Sequence, residues 1–260
     1  MTKLSHDLYV DGVTVIPNIF DDVQLRFLAG LHKDEDDGQN FFSRLPEDLK
    51  SLITSRVVAL LNKTYGSHGW KYTGESSIFY KNNSEIRNIK NNSTKLHRDI
   101  RGLGSLYPLT SKDDSLVRVG IYLQDTYHAS YGTKFILRSH SSPVLFCDWL
   151  VNIKCFLKFQ ISLRHLFFDF GLSRLFSSRN VPTHIGDMII WSSRTLHSAC
   201  YKRLKAIPSI SLPPALERWL PERLFLTLAS PRSVLFFGFY LEGSTVAEDY
   251  ILQRKDVGAI

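Results

Sequence analysis

The chain has 260 residues, of which 43% are hydrophobic and 22% charged, with 15 Gly, 10 Pro and 3 Cys. That length supports a sizeable core, and the composition excludes a disordered, collagen-like or disulfide-scaffold protein. The formal charge of +7 raises the expectation of an anionic partner.

Two segments hold six of the seven excess charges. Segment 144–180 sets Lys154, Lys158, Arg164, Arg174 and Arg179 against Asp148 and Asp169. Segment 200–223 sets Lys202, Arg203, Lys205, Arg218 and Arg223 against Glu217 and Glu222. The remainder is close to neutral and has no interleaved aromatic motif of the RNA-binding kind, so no nucleic-acid partner is expected. Cys147, Cys155 and Cys200 are few and odd in number, which favours a reducing compartment. MTKLSHDLYVDG contains no apolar run suited to a signal peptide, and no stretch approaches the ~18 apolar residues that span a bilayer. A cytoplasmic protein is expected.

Residues 9–16 (YVDGVTVI) read as a short β-branched strand ended by Pro17 and Asn18. Asp21 and Asp22 can cap a helix with Leu25, Phe27, Leu28 and Leu31 on its apolar side. A second helix covers 46–64, with Pro46 at its start and Glu47 and Asp48 in its first turn. Beyond Gly74 the period changes. Segments 76–80, 116–124, 134–137, 187–191, 224–229 and 233–241 are short, β-rich and bounded by Gly, Pro, Ser or Asp. Helices first and separated strands afterwards predict one α+β domain built on a sandwich or barrel.

One of the nine histidines stands in a pattern with chemistry. His97-Arg98-Asp99 places a His and an Asp two residues apart, on one side of an extended chain. A second imidazole would complete the 2-His-1-carboxylate face that holds Fe(II) with positions left open, and His197 in GDMIIWSSRTLHSA is the candidate. The competing reading is a turn in which Asp99 pairs with Arg98 or Arg101.

The order of these features resembles the phytanoyl-CoA dioxygenase-like branch of the Fe(II)/2-oxoglutarate oxygenases. LYVDGVTVIPNIFDD is similar to that family's start and LHRD to its first iron motif. VGIYLQDTYHASYGTKFILRSHSSP resembles its central segment, and GDMIIWSSRTLHSA its second iron motif. The resemblance runs from about residue 9 to residue 254. It implies a double-stranded β-helix (jelly-roll, cupin-like) core with N-terminal helices packed on one sheet. It also implies iron ligands His97, Asp99 and His197, with Fe(II) and the co-substrate 2-oxoglutarate as cofactors. Small-molecule substrate and O2 would be the partners.

An arginine on the last core strand binds the distal carboxylate of 2-oxoglutarate in this family, a bidentate task suited to a guanidinium. Here the usual position, about ten residues after the second His, holds no arginine. Arg232, Arg223 and Arg203 remain as alternatives, in that order. Choosing Arg232 makes 200–223 an insertion. His140 matches a structural histidine whose lead glycine is replaced here by Arg138 or Ser139. His128, His165 and His184 read as surface or core residues, and Cys200 as a small apolar side chain. Phe79, Tyr80 and Trp191 are candidates for an entrance.

Segment 144–180 holds seven of the 17 Phe. It reads as an insertion against the sandwich, a lid over the site, or an amphipathic patch making peripheral membrane contact. The resemblance implies hydroxylation of an aliphatic C–H bond of a small substrate, with release of succinate and CO2, and the charge of the two basic segments points to an anionic or amphiphilic one. Because Asp99 is present, halogenation is disfavoured. The alternative from another class is a non-catalytic jelly-roll binding protein at a membrane or glycan surface.

Overall fold

In a computed structural model, residues 7–31, 40–81, 97–99, 114–127, 132–141, 178–200, 202–208, 219–227 and 232–256 are described. Among these residues two antiparallel sheets carry the fold. One has the order β1-β6-β3-β8-β2, from Val13–Ile16 (β1), Met188–Ser192 (β6), Leu116–Tyr122 (β3), Arg232–Leu241 (β8) and Trp70–Lys81 (β2). The other has the order β5-β4-β7, from Ser178–Val181 (β5), Gly132–Ile136 (β4) and His197–Cys200 (β7). This is the expected jelly-roll core with helices.

The five-stranded sheet is apolar on both faces, and alternation along each strand decides which face a residue serves. Val117, Val119 and Ile121 of β3, Met188 and Ile190 of β6, and Leu235, Phe237 and Phe239 of β8 face the helices. Tyr122, Ile189, Trp191 and Val234 face inward with Phe135 of β4 and Val181 of β5. Arg118 and Arg232 share the parity of this inner set, so the strands aim two guanidinium groups between the sheets.

Two of the helices follow their sequence signals. Helix α3 (Glu47–Tyr65; the short helices α1, Leu8–Asp11, and α2, Asp22–Gly30, precede it) buries Leu49, Ile53, Val57 and Leu61 at i, i+4 spacing and ends on Gly66 in the left-handed conformation. Ile53 and Val57 are fully buried, and truncating Ile53 to Ala would cost about 2–5 kcal/mol. Helix α2 (Asp22–Gly30) starts in a capping box between Asp21 and Gln24. Of its expected apolar side, Leu28 is fully buried while Phe27 is 41% exposed. The C-terminal helix α4 (Thr245–Asp256) packs through Tyr250 and Ile251 on Leu116.

Several predicted elements differ. The strand expected at 9–16 begins with one helical turn, α1 (Leu8–Asp11), because Asp7 accepts from the amides of Tyr9 and Val10 and Gly12 closes the turn at φ +76°. A side chain at Gly12 would place its Cβ 2.4 Å from His140 Nδ1, so the position requires glycine for space and conformation. Strand β2 starts at Trp70 rather than 76 and carries an irregularity between Tyr72 and Ser76. Of the strand expected at 224–229, Glu222–Leu224 forms a 3-10 turn and Phe225 a single bridge to Leu204. Residues 228 and 229 lie outside the described residues, as do 144–177 and 209–218. Residues 178–180 belong to β5, paired with β4. No helix among the described residues is long and apolar enough to cross a membrane.

Candidate metal centre

His197 opens β7, where Phe135 of β4 pairs with it on one side. On its other side lies His97, which exchanges both backbone hydrogen bonds with it at 3.0 Å. This exchange closes the hundred-residue gap and sets the two imidazole rings 4.4 Å apart between centroids. Asp99 is held by its amide, which donates to the Ser193 carbonyl at 3.1 Å. Between the two, Arg98 points away and donates to the carbonyls of Ser139 and Arg194. The period of two therefore puts His97 and Asp99 on one side and Arg98 on the other. The competing turn with Asp99 on Arg98 is not formed.

One ligand atom from each of His97, Asp99 and His197 lies within 4.8 Å of the others. His197 is buried, and its Nδ1 sits 3.0 Å from the Thr195 carbonyl, which can only accept. Nδ1 therefore carries the proton and Nε2 presents a lone pair, 3.5 Å from Asp99 Oδ1. Burial pushes the imidazole's pKa below its ordinary value, against the pull of Asp99, and keeps it neutral. For Asp99 burial acts the other way, but its coupling to His197, the Arg118 guanidinium and His97, with a hydrogen bond from Trp191, outweighs it. Its pKa lies below the usual carboxylate value. A neutral imidazole and an anionic carboxylate are the protonation states that a divalent transition metal requires.

Trp191, read from sequence as an entrance residue, is buried beneath the centre and donates its indole N–H to Asp99 Oδ2 at 2.9 Å. That bond occupies one carboxylate oxygen and leaves Oδ1 toward the imidazoles. The Ser139–His140 turn is a second support. Ser139 Oγ accepts from the Leu196 amide at 2.9 Å, and His140 Nε2 lies 2.9 Å from the Tyr9 carbonyl. His140 thus has the structural role expected of it, with Arg138 in the left-handed conformation at φ +65°.

The three donors open into a cavity of about 470 Å³ that Arg232 also lines. Arg232 is buried at the start of β8, with its guanidinium carbon 4.6 Å from the Phe79 ring centre. It hydrogen-bonds Tyr122, whose hydroxyl also contacts Thr133 Oγ1. The two other candidate arginines do not reach this cavity. Arg223 is exposed on the 3-10 turn at Glu222–Leu224, because the chain there does not form the expected strand. Arg203 is buried elsewhere, donating to the carbonyls of Pro208 and Thr126. His184 is half-exposed, stacked on Tyr127 and 3.1 Å from Asp125. His128 and His165 lie outside the described residues, as does the Cys200 side chain.

Sequence reasoning missed a second polar group on the cavity wall. Glu75, in the irregular part of β2, meets Arg118 NH1 at 2.8 Å, Tyr250 OH at 2.8 Å and Arg254. Arg118 continues the chain toward Asp99 Oδ2, 3.9 Å from its Nε. The available signal was Arg118 itself, a lone charge in the apolar run LVRVGIY.

No protein-family model matches the sequence, and no curated protein matches it. Solved structures do match. The α-ketoglutarate-dependent non-haem epimerase SnoN from nogalamycin biosynthesis superposes with a TM-score of 0.54 at 15% identity, over 93% of this chain and 86% of its own. The fold is that of the non-haem α-ketoglutarate-dependent enzymes. HygX from Streptomyces hygroscopicus, solved with nickel and 2-oxoglutarate bound, gives 0.52 at 14% identity over 91% and 84%. The carbocyclase SnoK from nogalamycin biosynthesis gives 0.51 at 15% over 95% and 87%.

Proposed function

We propose that this chain is an Fe(II)- and 2-oxoglutarate-dependent oxygenase of the phytanoyl-CoA dioxygenase-like branch, acting on an aliphatic C–H bond of a small molecule. The observation that carries the reading is the convergence of His97, Asp99 and His197 on one point, in a cavity that also contains Arg232. Two imidazoles and one carboxylate are the donor set of a facial iron site with open positions. SnoN with Fe3+ and α-ketoglutarate and HygX with nickel and 2-oxoglutarate, both of the same fold, support the cofactor assignment.

The chain's residues divide the work. His97, Asp99 and His197 would hold the iron on one face. Trp191 engages Asp99 Oδ2, so Oδ1 is the oxygen that would be left to hold the iron. The Arg232 fork would take the distal carboxylate of 2-oxoglutarate, beside the hydroxyls of Tyr122 and Thr133, and its burial strengthens that pairing. Trp191 and Phe135 pack around His197 and keep water from the inner side of the centre. When bound, iron with 2-oxoglutarate and O2 supplies oxidation of an unactivated C–H bond, with release of succinate and CO2. Hydroxylation is the default outcome. The epimerase and carbocyclase among the similar structures illustrate other outcomes on this fold, so the pose of the substrate carbon selects between them.

Anaerobic addition of Fe(II) and 2-oxoglutarate to purified protein should produce a weak visible charge-transfer band, absent in His97→Ala. A wild type with no band in excess iron would refute the oxygenase reading and favour a jelly-roll binding protein.

A further inference from the structure

The polar wall beside His97, Asp99 and His197 contains more positive charge than its own carboxylate neutralises. Glu75 is shared by two guanidinium groups, Arg118 and Arg254, and by the Tyr250 hydroxyl. Both of its oxygens are engaged: Oε2 by Arg118 and Tyr250, Oε1 by Arg254. Glu75 is therefore not available to a substrate amine. Burial acts to raise the pKa of Glu75, but the two arginines and Tyr250 outweigh it and hold it low, so it is ionised at neutral pH. Tyr250 is pushed up to about 12 by burial and stays neutral.

The two arginines differ in what they have left to give. Arg118 is 13% exposed and spans Asp99, Glu75 and Tyr250. It has room to lie flat because residue 238, opposite it on β8, is glycine: a Cβ there would come within 3.1 Å of its NH1. Its charge is committed to the protein. Arg254, from the last turn of α4, has a 37% exposed side chain and lines the cavity. Among the described residues it meets one carboxylate oxygen, that of Glu75, and the Tyr250 ring.

Charges can be counted for the cavity as the proposed function would load it. A divalent metal with Asp99 and the dianion 2-oxoglutarate sums to one negative charge, and Arg232 cancels it. Arg118, Arg254 and Glu75 then leave one positive charge among the described residues of the lining. A low-dielectric cavity with a net charge favours a ligand of the opposite sign. The lining also holds three aromatic rings, Phe79, Phe236 and Trp191, alongside the small side chains of Ser76, Ser77, Thr133 and Ala199.

We infer that the substrate is a small monoanion with an apolar body, and that Arg254 of the C-terminal helix receives its anionic group while its reacting carbon lies toward His97 and His197. The inference rests on the oxygenase reading and names the substrate class of that same cavity. It gives α4 a function: Tyr250 anchors the helix on Leu116 and Glu75, and Arg254 faces the ligand from it.

The test uses full-length protein loaded with Ni(II) and 2-oxoglutarate, which does not turn over. Calorimetry follows binding of phenylacetate, 3-phenylpropanoate and octanoate, each against its primary amide. Wild type should prefer carboxylate over amide by about 10- to 100-fold, the range of a hydrogen bond to a charged group. Arg254→Gln should reduce that preference to about twofold while leaving Ni(II) and 2-oxoglutarate binding unchanged, and Arg254→Lys should retain part of it. A loaded wild type that binds no carboxylate, or does not distinguish the pairs, overturns the inference alone. So does an Arg254→Gln protein that keeps the full preference. A wild type that fails to bind Ni(II) and 2-oxoglutarate overturns the oxygenase reading beneath it.

Discussion

Trp191→Phe isolates one hydrogen bond at the centre. The indole N–H donates to Asp99 Oδ2 at 2.9 Å, and the ring packs 5.4 Å from His197, 5.6 Å from Phe135 and 6.1 Å from Phe236. Phenylalanine keeps an aromatic ring in that place and removes the donor. A buried hydrogen bond to a charged acceptor contributes about 1.5–3 kcal/mol. Without it the Asp99 carboxylate is free to turn, with Arg118 at 3.9 Å as its nearest cationic neighbour on that side. Since 1.4 kcal/mol is a factor of ten, metal affinity should fall about 10- to 100-fold, the range found for groups that orient metal ligands. Calorimetric titration of apoprotein with Ni(II) measures it, with urea unfolding run alongside. The unfolding midpoint should move modestly, because ring packing is retained. A metal affinity within twofold of wild type, in a protein that unfolds normally, would refute the role given to Trp191.

Arg232→Leu should weaken 2-oxoglutarate binding about 100-fold or more without changing metal affinity, whereas Arg223→Leu should change neither; equal losses in both would show that neither arginine is the specific partner. Gly12→Ala should destabilise the fold by about 1–3 kcal/mol in urea, since φ +76° is strained for alanine and its Cβ meets His140 and Thr195. Acid sensitivity has a definite sign. His197 in the fold has a pKa below its ordinary 6.5 and Glu75 one below its ordinary 4.5, so the unfolded chain binds more protons in each window. Stability of the metal-free protein should hold above neutral pH, begin to fall below about 6.5 and fall more steeply below about 4.5; a urea midpoint that rises on acidification would contradict both assignments.

Much of the fold and half of the site were legible in the sequence. Asp21 with Gln24, and Leu49, Ile53, Val57 and Leu61 at helical spacing, specify α2 and α3 through interactions within a few residues. The β-rich runs at 116–124 and 233–241 mark β3 and β8, but because both faces of their sheet are apolar, which residues face inward is decided by the tertiary packing. His97 and Asp99 were paired by the period of an extended chain. The strands β5 and β7 were not legible, because SRNV and HSAC are short and polar, and pairing with β4 is what makes them strands. Nor could the sequence choose among Arg203, Arg223 and Arg232. An arginine's reach is local, but whether it ends in a carbonyl cage, in solvent or in a cavity depends on which strands come together around it. The same holds for Trp191 beneath Asp99, and for Glu75, Arg118 and Arg254. They come from three strands and a helix spread over most of the chain, and only sheet register brings them within hydrogen-bonding distance.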